Sequence, residues 1–345
     1  MKALYDVCAP AKLNLFLHIT GRRSDGYHLL QSAVMLIDWC DTLHFEMRSD
    51  RKISREDVAA PGSMAAPLPT ADLCVRAALA LQAAAAQVIG QAAADKLGAH
   101  ITLAKNIPTQ AGMGGGSSDA ASTLLALNRL WRLDLPLKQL MQIALPLGAD
   151  VPFFLSGGNA WVEGIGEKIT PLTIPSARFV VAKPPDGLDT ALIFSHPNLP
   201  RASETAIISG FAVDPFSPSG LFGFGRNDLQ GVSRQLCPGI DRGLQWLESL
   251  GLAGRMTGSG SAVFAVLPGH QSDKAQLAGC PPAECQPAEC QPAEGQTINS
   301  LPTLETDVLK NLQSQAPAGF QVKVCGNLAV HPLAGWAGWA VEQAF

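Results

Sequence analysis

The sequence predicts a two-domain protein built from both strands and helices. Three observations predict it. The chain has 345 residues, more than one ordinary domain of about 100–200 residues, and a chain this long buries roughly three quarters of its unfolded surface. Segments with the two-residue period of strands alternate with segments of helical period. A fresh strand-like run, Phe179 to Ala182, then opens a second half.

The elements read in order as follows. Leu13, Leu15, Leu17 and Ile19 alternate with Lys12, Asn14, Phe16 and His18, a strand that sets Lys12 and Asn14 on the face opposite the aliphatic residues. Gly21 to Gly26 is a polar turn. Leu29 to Ile37 and Thr42 to Met47 read as two strands, with Asp38 to Asp41 as the turn between them. Arg48 to Thr70 is a proline-containing loop, and Ala71 to Ala94 is helical by its Ala and Leu content. A strand, His100 to Lys105, leads to a glycine-rich stretch, after which Ala120, Leu124, Leu127 and Trp131 recur at helical spacing. A helix over Leu137 to Leu145 precedes Leu147-Gly148-Ala149-Asp150-Val151-Pro152. In the second half Arg234 to Leu250 is helical, and a second glycine loop, Arg255 to Ser261, precedes a strand over Ala262 to Leu267. Residues 280–294 repeat Cys-x-Pro-Ala-Glu three times, which reads as a disordered or extended surface insertion rather than a thiol metal site.

Composition removes several classes of function. Charged residues are 16% of the chain, against a typical figure of about 25%, so disorder over most of the chain is not expected. Lys plus Arg is 25 and Asp plus Glu is 29, a net charge of −4. With no basic excess to neutralise phosphates, nucleic acid is not the expected partner. Ala77 to Ala94 and Val324 to Val341 are long enough to test as membrane spans; the first reads as an amphipathic helix and the second contains His331 and Pro332. No leader peptide is visible, and eight Cys without a Cys-x-x-Cys pair give little support to zinc or a disulfide framework. A cytoplasmic protein with reduced thiols is the expectation.

The chemistry concentrates in Pro108-Thr109-Gln110-Ala111-Gly112-Met113-Gly114-Gly115-Gly116-Ser117-Ser118-Asp119-Ala120-Ala121. Four glycines in five positions let the backbone approach a ligand and aim several N–H groups at it. The helix that follows adds unpaired donors and the positive end of its dipole. A turn needs one glycine and a cap needs one hydroxyl, so the whole cluster reads as a phosphate cradle. No Gly-Lys pair occurs, which excludes a Walker A loop, and neither His-Arg-Asp nor Asp-Phe-Gly occurs, which excludes the protein-kinase plan. Ser117 stands where a dinucleotide fingerprint needs its third glycine.

Three separated motifs resemble those of the GHMP kinases: Pro10-Ala11-Lys12-Leu13-Asn14-Leu15, the Pro108 to Ala121 segment, and Thr257-Gly258-Ser259-Gly260. Gly21-Arg22-Arg23-Ser24-Asp25-Gly26-Tyr27-His28 and Leu147 to Phe154 are similar to the members that phosphorylate a cytidine-diphosphate sugar alcohol of non-mevalonate isoprenoid synthesis. Met113 and Met256 stand where leucine is usual. The resemblance implies an α+β fold of mixed and antiparallel sheets with helices, in two domains, 1–175 and 176–345, with the active site in the cleft between them. It implies Lys12 and Asp150 as the catalytic pair, and ATP on Pro108 to Ser118. It implies Asn14, Tyr27, His28, Thr190 and Phe194 around the second substrate, with Asp189 beside them; Tyr27 and Phe194 would sandwich cytosine and His28 would bond its edge. Mg²⁺ is expected with ATP, with no protein ligand identified. Homoserine or mevalonate kinases, and a nucleotide-binding regulator without catalysis, are the alternatives; Tyr27-His28 argues against the former and retained Lys12 and Asp150 against the latter.

Overall fold

The computed structural model describes residues 2–58, 72–207, 220–268 and 301–336, the last of these without side chains before 308. The repeat at 280–294 and residues 59–70 of the expected 48–70 loop lie outside the described residues, while Ile53–Asp57 of that expected loop is a strand paired in parallel with Ala99–Leu103. The strands are β1 (Ala3–Asn14), β2 (His18–Arg22), β3 (His28–Arg48), β4 (Ile53–Asp57), β5 (Gly98–Ala104), β6 (Ala160–Gly164), β7 (Lys168–Pro171), β8 (Arg178–Lys183), β9 (Arg255–Met256), β10 (Val263–Val266) and β11 (Gln321–Leu328). The helices are α1 (Leu73–Ile89), α2 (Gln91–Ala94), α3 (Gly115–Leu130), α4 (Leu137–Ala144), α5 (Val151–Leu155), α6 (Thr190–Ser195), α7 (Gln230–Leu236), α8 (Pro238–Ser249) and α9 (Leu301–Gln315).

The architecture is α+β. One path of paired strands runs β4-β5-β3-β11-β8-β10-β9, with β1, β2 and β6 also on β3 and β7 on β6. All pairs are antiparallel except β4 with β5. Strand β11 joins the two halves, pairing residues 321–326 with β8 and Asn327 and Leu328 with Ile37 and Leu36 of β3.

The turn expected at Asp38 to Asp41 does not form. β3 is one strand of 21 residues. Its partner register jumps from Pro10↔Cys40 to Ala11↔Ile37, so Asp38 and Trp39 form a bulge. Pro10 has no N–H to give a ladder, which is where sheets place proline and bulges. Asp38 then accepts from the Gly326 N–H (3.0 Å) and the Trp39 indole donates to the Asn106 carbonyl (2.9 Å). The expected 13–19 strand is broken after Asn14, and the 71–94 helix stops at Gly90 (φ +80°). The 234–250 helix is two helices, because Pro238 starts α8. Only Val324 to Leu328 of the span tested at 324–341 belongs to a strand, β11, and among the described residues no helix is long and apolar enough to cross a membrane.

Helices α1 and α3 pack on one side of the sheet around Phe45, Leu81, Leu124, Leu127 and Phe154. A second core, with Leu13, Met35, Phe179 and Phe264, fills the opposite face, and Val180, Ile240, Leu247 and Val263 form a third beneath α8. α3 is buried over nearly all of Ser118 to Leu130. Its Ala, Ser and Leu sequence lets it pass through the molecule with its N-terminus at the cleft.

Candidate active site

The cleft lies where the two glycine loops meet. Ala262 N–H donates to Ala111 O and Ser261 N–H to Gln110 O, both at 3.1 Å, so the loops pair like short strands. Asn14 N–H donates to Thr257 Oγ1 at 2.9 Å, tying β1 to the second loop. The result is a cavity of about 720 Å³, lined among others by Lys12, Asn14, Gly112 to Ser117, Asp150, Thr190, Phe194 and Gly258 to Gly260. That is a volume suited to ligands of nucleotide size.

Lys12 is 4% exposed. Its backbone N–H donates to Met113 O (3.0 Å), and its ammonium donates to Asn14 Oδ1. The ammonium lies 3.7 Å from Oδ2 of Asp150. Asn14 in turn donates from Nδ2 to Ser32 Oγ (2.8 Å), and Ser32 donates to Phe16 O. The chain of bonds fixes the direction of Lys12, whereas Asp150 is half exposed at the mouth of α5. The Gly148 to Pro152 turn places it there, with Val151 N–H on Gly148 O (3.1 Å) and Pro152 in the first helical turn.

The glycine loop behaves as a donor array. Gly112 and Gly114 take φ of +72° and +70°. A β-carbon on Gly114 would meet the Phe154 ring at 3.0 Å and Lys12 Cε at 3.2 Å. The first helical bond of α3 runs from Ser118 N–H to Gly114 O (2.9 Å), so the N–H groups of Gly115, Gly116 and Ser117 precede any intrahelical partner.

Of the residues singled out in the sequence, Pro108, Gln110 to Ser117, Lys12, Asn14, Asp150, Asp189, Thr190 and Phe194 line this cavity. Ser118 does not: it is fully buried and its hydroxyl donates to Pro10 O at 2.6 Å. Thr109 turns to a smaller cavity beside Lys183 and Pro184. Asp189 caps α6 by accepting from Ala191 N–H (2.8 Å), and Thr190 and Ser259 share a hydroxyl bond of 2.8 Å across the cleft. His28 is set against Phe194, with ring centroids 5.4 Å apart. Tyr27 is 62% exposed and the ring contact with Phe194 belongs to His28. His28 Nε2 is buried without a hydrogen-bond partner, and burial together with Arg22 and Arg201 holds the imidazole below its usual pKa.

Sequence reasoning passed over Ser32, which orients Asn14, and the apolar wall of Leu17, Leu30, Val34 and Val162. Neither carries a motif; both come into place by strand pairing.

Comparison with known proteins agrees with this geometry. Residues 72–158 match the GHMP kinases N terminal domain and residues 219–280 the GHMP kinases C terminal domain. The chain is 57% identical over 337 residues to 4-diphosphocytidyl-2-C-methyl-D-erythritol kinase of Albidiferax ferrireducens, covering 98% of this chain and 96% of that one. The enzyme of the same name from Variovorax paradoxus is 56% identical, covering 98% and 100%. The chain belongs to the 4-diphosphocytidyl-2-C-methyl-D-erythritol kinases. It is therefore a phosphotransferase of the GHMP superfamily that uses ATP. A crystal structure of 4-(cytidine 5'-diphospho)-2C-methyl-D-erythritol kinase superposes with a TM-score of 0.65 at 27% identity, covering 92% of this chain and 98% of that one. Homoserine kinase from Cytophaga hutchinsonii superposes at 0.59 with 15% identity, which is a likeness of fold alone. Membership in this kinase family thus separates the chain from the homoserine and mevalonate branches.

Proposed function

We propose that the chain transfers the γ-phosphoryl group of ATP to the 2-hydroxyl of 4-diphosphocytidyl-2-C-methyl-D-erythritol, a step of non-mevalonate isoprenoid synthesis carried out in the cytoplasm. The observation that carries this reading is the meeting of Lys12 and Asp150, 3.7 Å apart, in the same cavity as the glycine loop. Residues 1–175 supply that loop and the catalytic pair, and residues 176–345 supply Thr190, Phe194 and the second loop.

The polyphosphate lies against the N–H groups of Gly115, Gly116 and Ser117, where the α3 dipole is positive. The cytosine lies against Phe194, with Tyr27 free to close on it and His28 at its edge. Asp150 accepts a hydrogen bond from the 2-hydroxyl, orients its oxygen toward the γ-phosphorus, and takes the hydroxyl proton as the new O–P bond forms and ADP departs. A loose transition state needs little early deprotonation, so orientation is the larger part of that role. Lys12, held by Asn14, stabilises charge on the transferring oxygens. Mg²⁺ would enter the cleft with the nucleotide, held chiefly by its phosphates. Bound there, it would neutralise charge on the phosphate oxygens.

The test is a coupled ADP-release assay across 4-diphosphocytidyl-2-C-methyl-D-erythritol, homoserine and mevalonate. Turnover with the first alone is expected. Preference for either of the others, or nucleotide binding without turnover, sinks the reading.

A further inference from the structure

Beneath the glycine loop lies an ion cluster that phosphoryl transfer does not use. Lys105, one residue past β5, places its ammonium 2.5 Å from Asp41 Oδ2 and 2.7 Å from Asp119 Oδ2. Asp41, on β3, is fully buried, and Asp119, in the second turn of α3, is 2% exposed. Asp41 Oδ1 accepts from the N–H groups of Asn106 (2.6 Å) and Ile107 (2.7 Å). Asp119 Oδ1 is buried and has no hydrogen-bond partner.

The cluster holds the loop at both stems. Ile107 is the last residue before Pro108, and Asp119 follows the last serine of the cradle. Lys105 joins the two through Asp41. Its ammonium also sits directly behind the cleft: a β-carbon on Gly115, which lines the cavity, would lie 3.1 Å from Nζ. Moving any of the three side chains therefore moves the backbone donors of Gly115 to Ser117.

The charges do not balance. Two carboxylates face one ammonium, leaving a net negative charge when both are ionised. A buried carboxylate oxygen without a donor is costly to keep charged. Desolvation accordingly pushes the Asp119 carboxyl up to about 7, against the pull of Lys105 and with the Asp41 carboxylate adding to the push. The remaining groups facing Asp119 supply no positive charge of their own in contact with it. From α1 comes the Cys74 thiol, which burial raises, and beyond it Asp72, already paired with Arg55.

We propose that the Asp41–Lys105–Asp119 triad positions the nucleotide loop, and that binding of nucleotide phosphate draws a proton onto Asp119. The proposal rests on the reading of the glycine loop as the phosphate cradle. A polyanion on one side of Gly115 and an uncompensated carboxylate on the other repel through a region that water does not screen. Protonation makes the triad neutral and gives Asp119 a donor of its own. The proton comes from solvent and returns when nucleotide leaves. The sign follows from linkage: binding raises the Asp119 pKa, so affinity weakens as pH rises from the value of the free protein toward that of the complex.

The experiment is calorimetric titration of the whole protein with the Mg²⁺ complex of a non-hydrolysable ATP analogue. It is run in two buffers of different ionisation enthalpy between pH 7 and 8.5. Fractional proton uptake is expected in the wild type, with Kd rising by about three- to tenfold across that range. In Asp119→Asn, which keeps the shape and the bond to Lys105, uptake is lost and Kd stays within about twofold. Tight binding without uptake by the wild type, or undiminished uptake in Asp119→Asn, overturns the proposal. Absence of binding by the wild type overturns the phosphate cradle beneath it. Should Asp119→Asn fail to fold, the carboxyl ¹³C shifts of the wild type decide: one buried Asp titrating near neutrality must move to higher pH on addition of the analogue, and a static midpoint refutes the coupling.

Discussion

Gly112 and Gly258 interlock with no room for a methyl group on either. A β-carbon on Gly112 would fall 2.2 Å from Thr257 O and 2.7 Å from Gly260 N, and one on Gly258 would fall 2.5 Å from Gly112 O. The obstructing atoms are backbone, so no rotamer change relieves them, and φ is positive at both residues. Gly112→Ala and Gly258→Ala are each expected to force the two loops apart. Steady-state kinetics should show kcat/KM reduced at least about tenfold, a loss of about 1.4 kcal/mol in transition-state binding. Wild-type kinetics in both variants would show that the loops need not touch.

The proposed catalytic pair, Lys12 and Asp150, allows a sharper experiment. Lys12 is buried and held by Asn14, and Asp150 is half exposed with no role in packing. Asp150→Ala and Lys12→Ala should each lower kcat by on the order of a hundredfold or more. Circular dichroism should show an unchanged fold, most securely for Asp150→Ala. Near-normal turnover in Asp150→Ala would remove that carboxylate from the reaction.

Phe194 lines the cleft, and His28 packs against it with ring centroids 5.4 Å apart. Loss of an aromatic stack costs about 1–3 kcal/mol, roughly 5- to 150-fold in binding. Phe194→Ala should raise KM for the cytidine substrate by a factor in that range and leave KM for ATP nearly unchanged. Tyr27→Ala should do the same if Tyr27 closes over the base in the complex. Equal changes in both KM values would place the ring in the frame of the cleft instead.

A pH effect on stability follows from His331. It is 1% exposed, burial lowers its pKa to about 4, and its Nδ1 accepts from Leu333 N–H at 3.1 Å. The ring is therefore neutral when folded and protonates more easily when unfolded. Its contribution is complete above about 6.5 and is lost as pH falls from there toward 4, up to about 3 kcal/mol. Urea unfolding at pH 7 and pH 5 should show His331→Leu losing less stability on acidification than the wild type. Other groups titrate equally in both proteins, so identical pH dependence would mean that His331 is accessible to protons in the folded state.

The glycine loop was legible because its backbone demands are local, whereas Lys12 and Asp150 were singled out only through the resemblance of their motifs to the GHMP kinases; all of them line one cavity. Four glycines imply close approach whatever surrounds them. The continuity of β3 was not legible, because Asp38 and Asp41 are turn formers by propensity. Only pairing with β11 and Asn106 gives them partners within a strand. Ser118 looked like a ligand hydroxyl, yet the 3.6-residue period of α3 turns it inward to Pro10, while Ser117 faces the cavity. Asp119 was visible as a residue but not as a charge problem, since Asp41 and Lys105 reach it only through tertiary packing. His28 against Phe194 is likewise a contact between halves that no spacing encodes.

The pairing of β11 with β3 also governs the order in which the molecule can be made. On the side away from β1, Leu36 and Ile37 find their strand partners only at Leu328 and Asn327, and the Gly326 amide that Asp38 accepts is 288 residues away. At about 5–20 residues per second on the ribosome, that edge of β3 stays open for roughly 15 to 60 s after it emerges. An open edge in the middle of a sheet is a template for other chains. A nascent chain of this protein therefore asks for shielding by chaperones until β11 arrives. A stop codon ahead of residue 321 leaves a sheet split down its centre, not a shorter version of the enzyme.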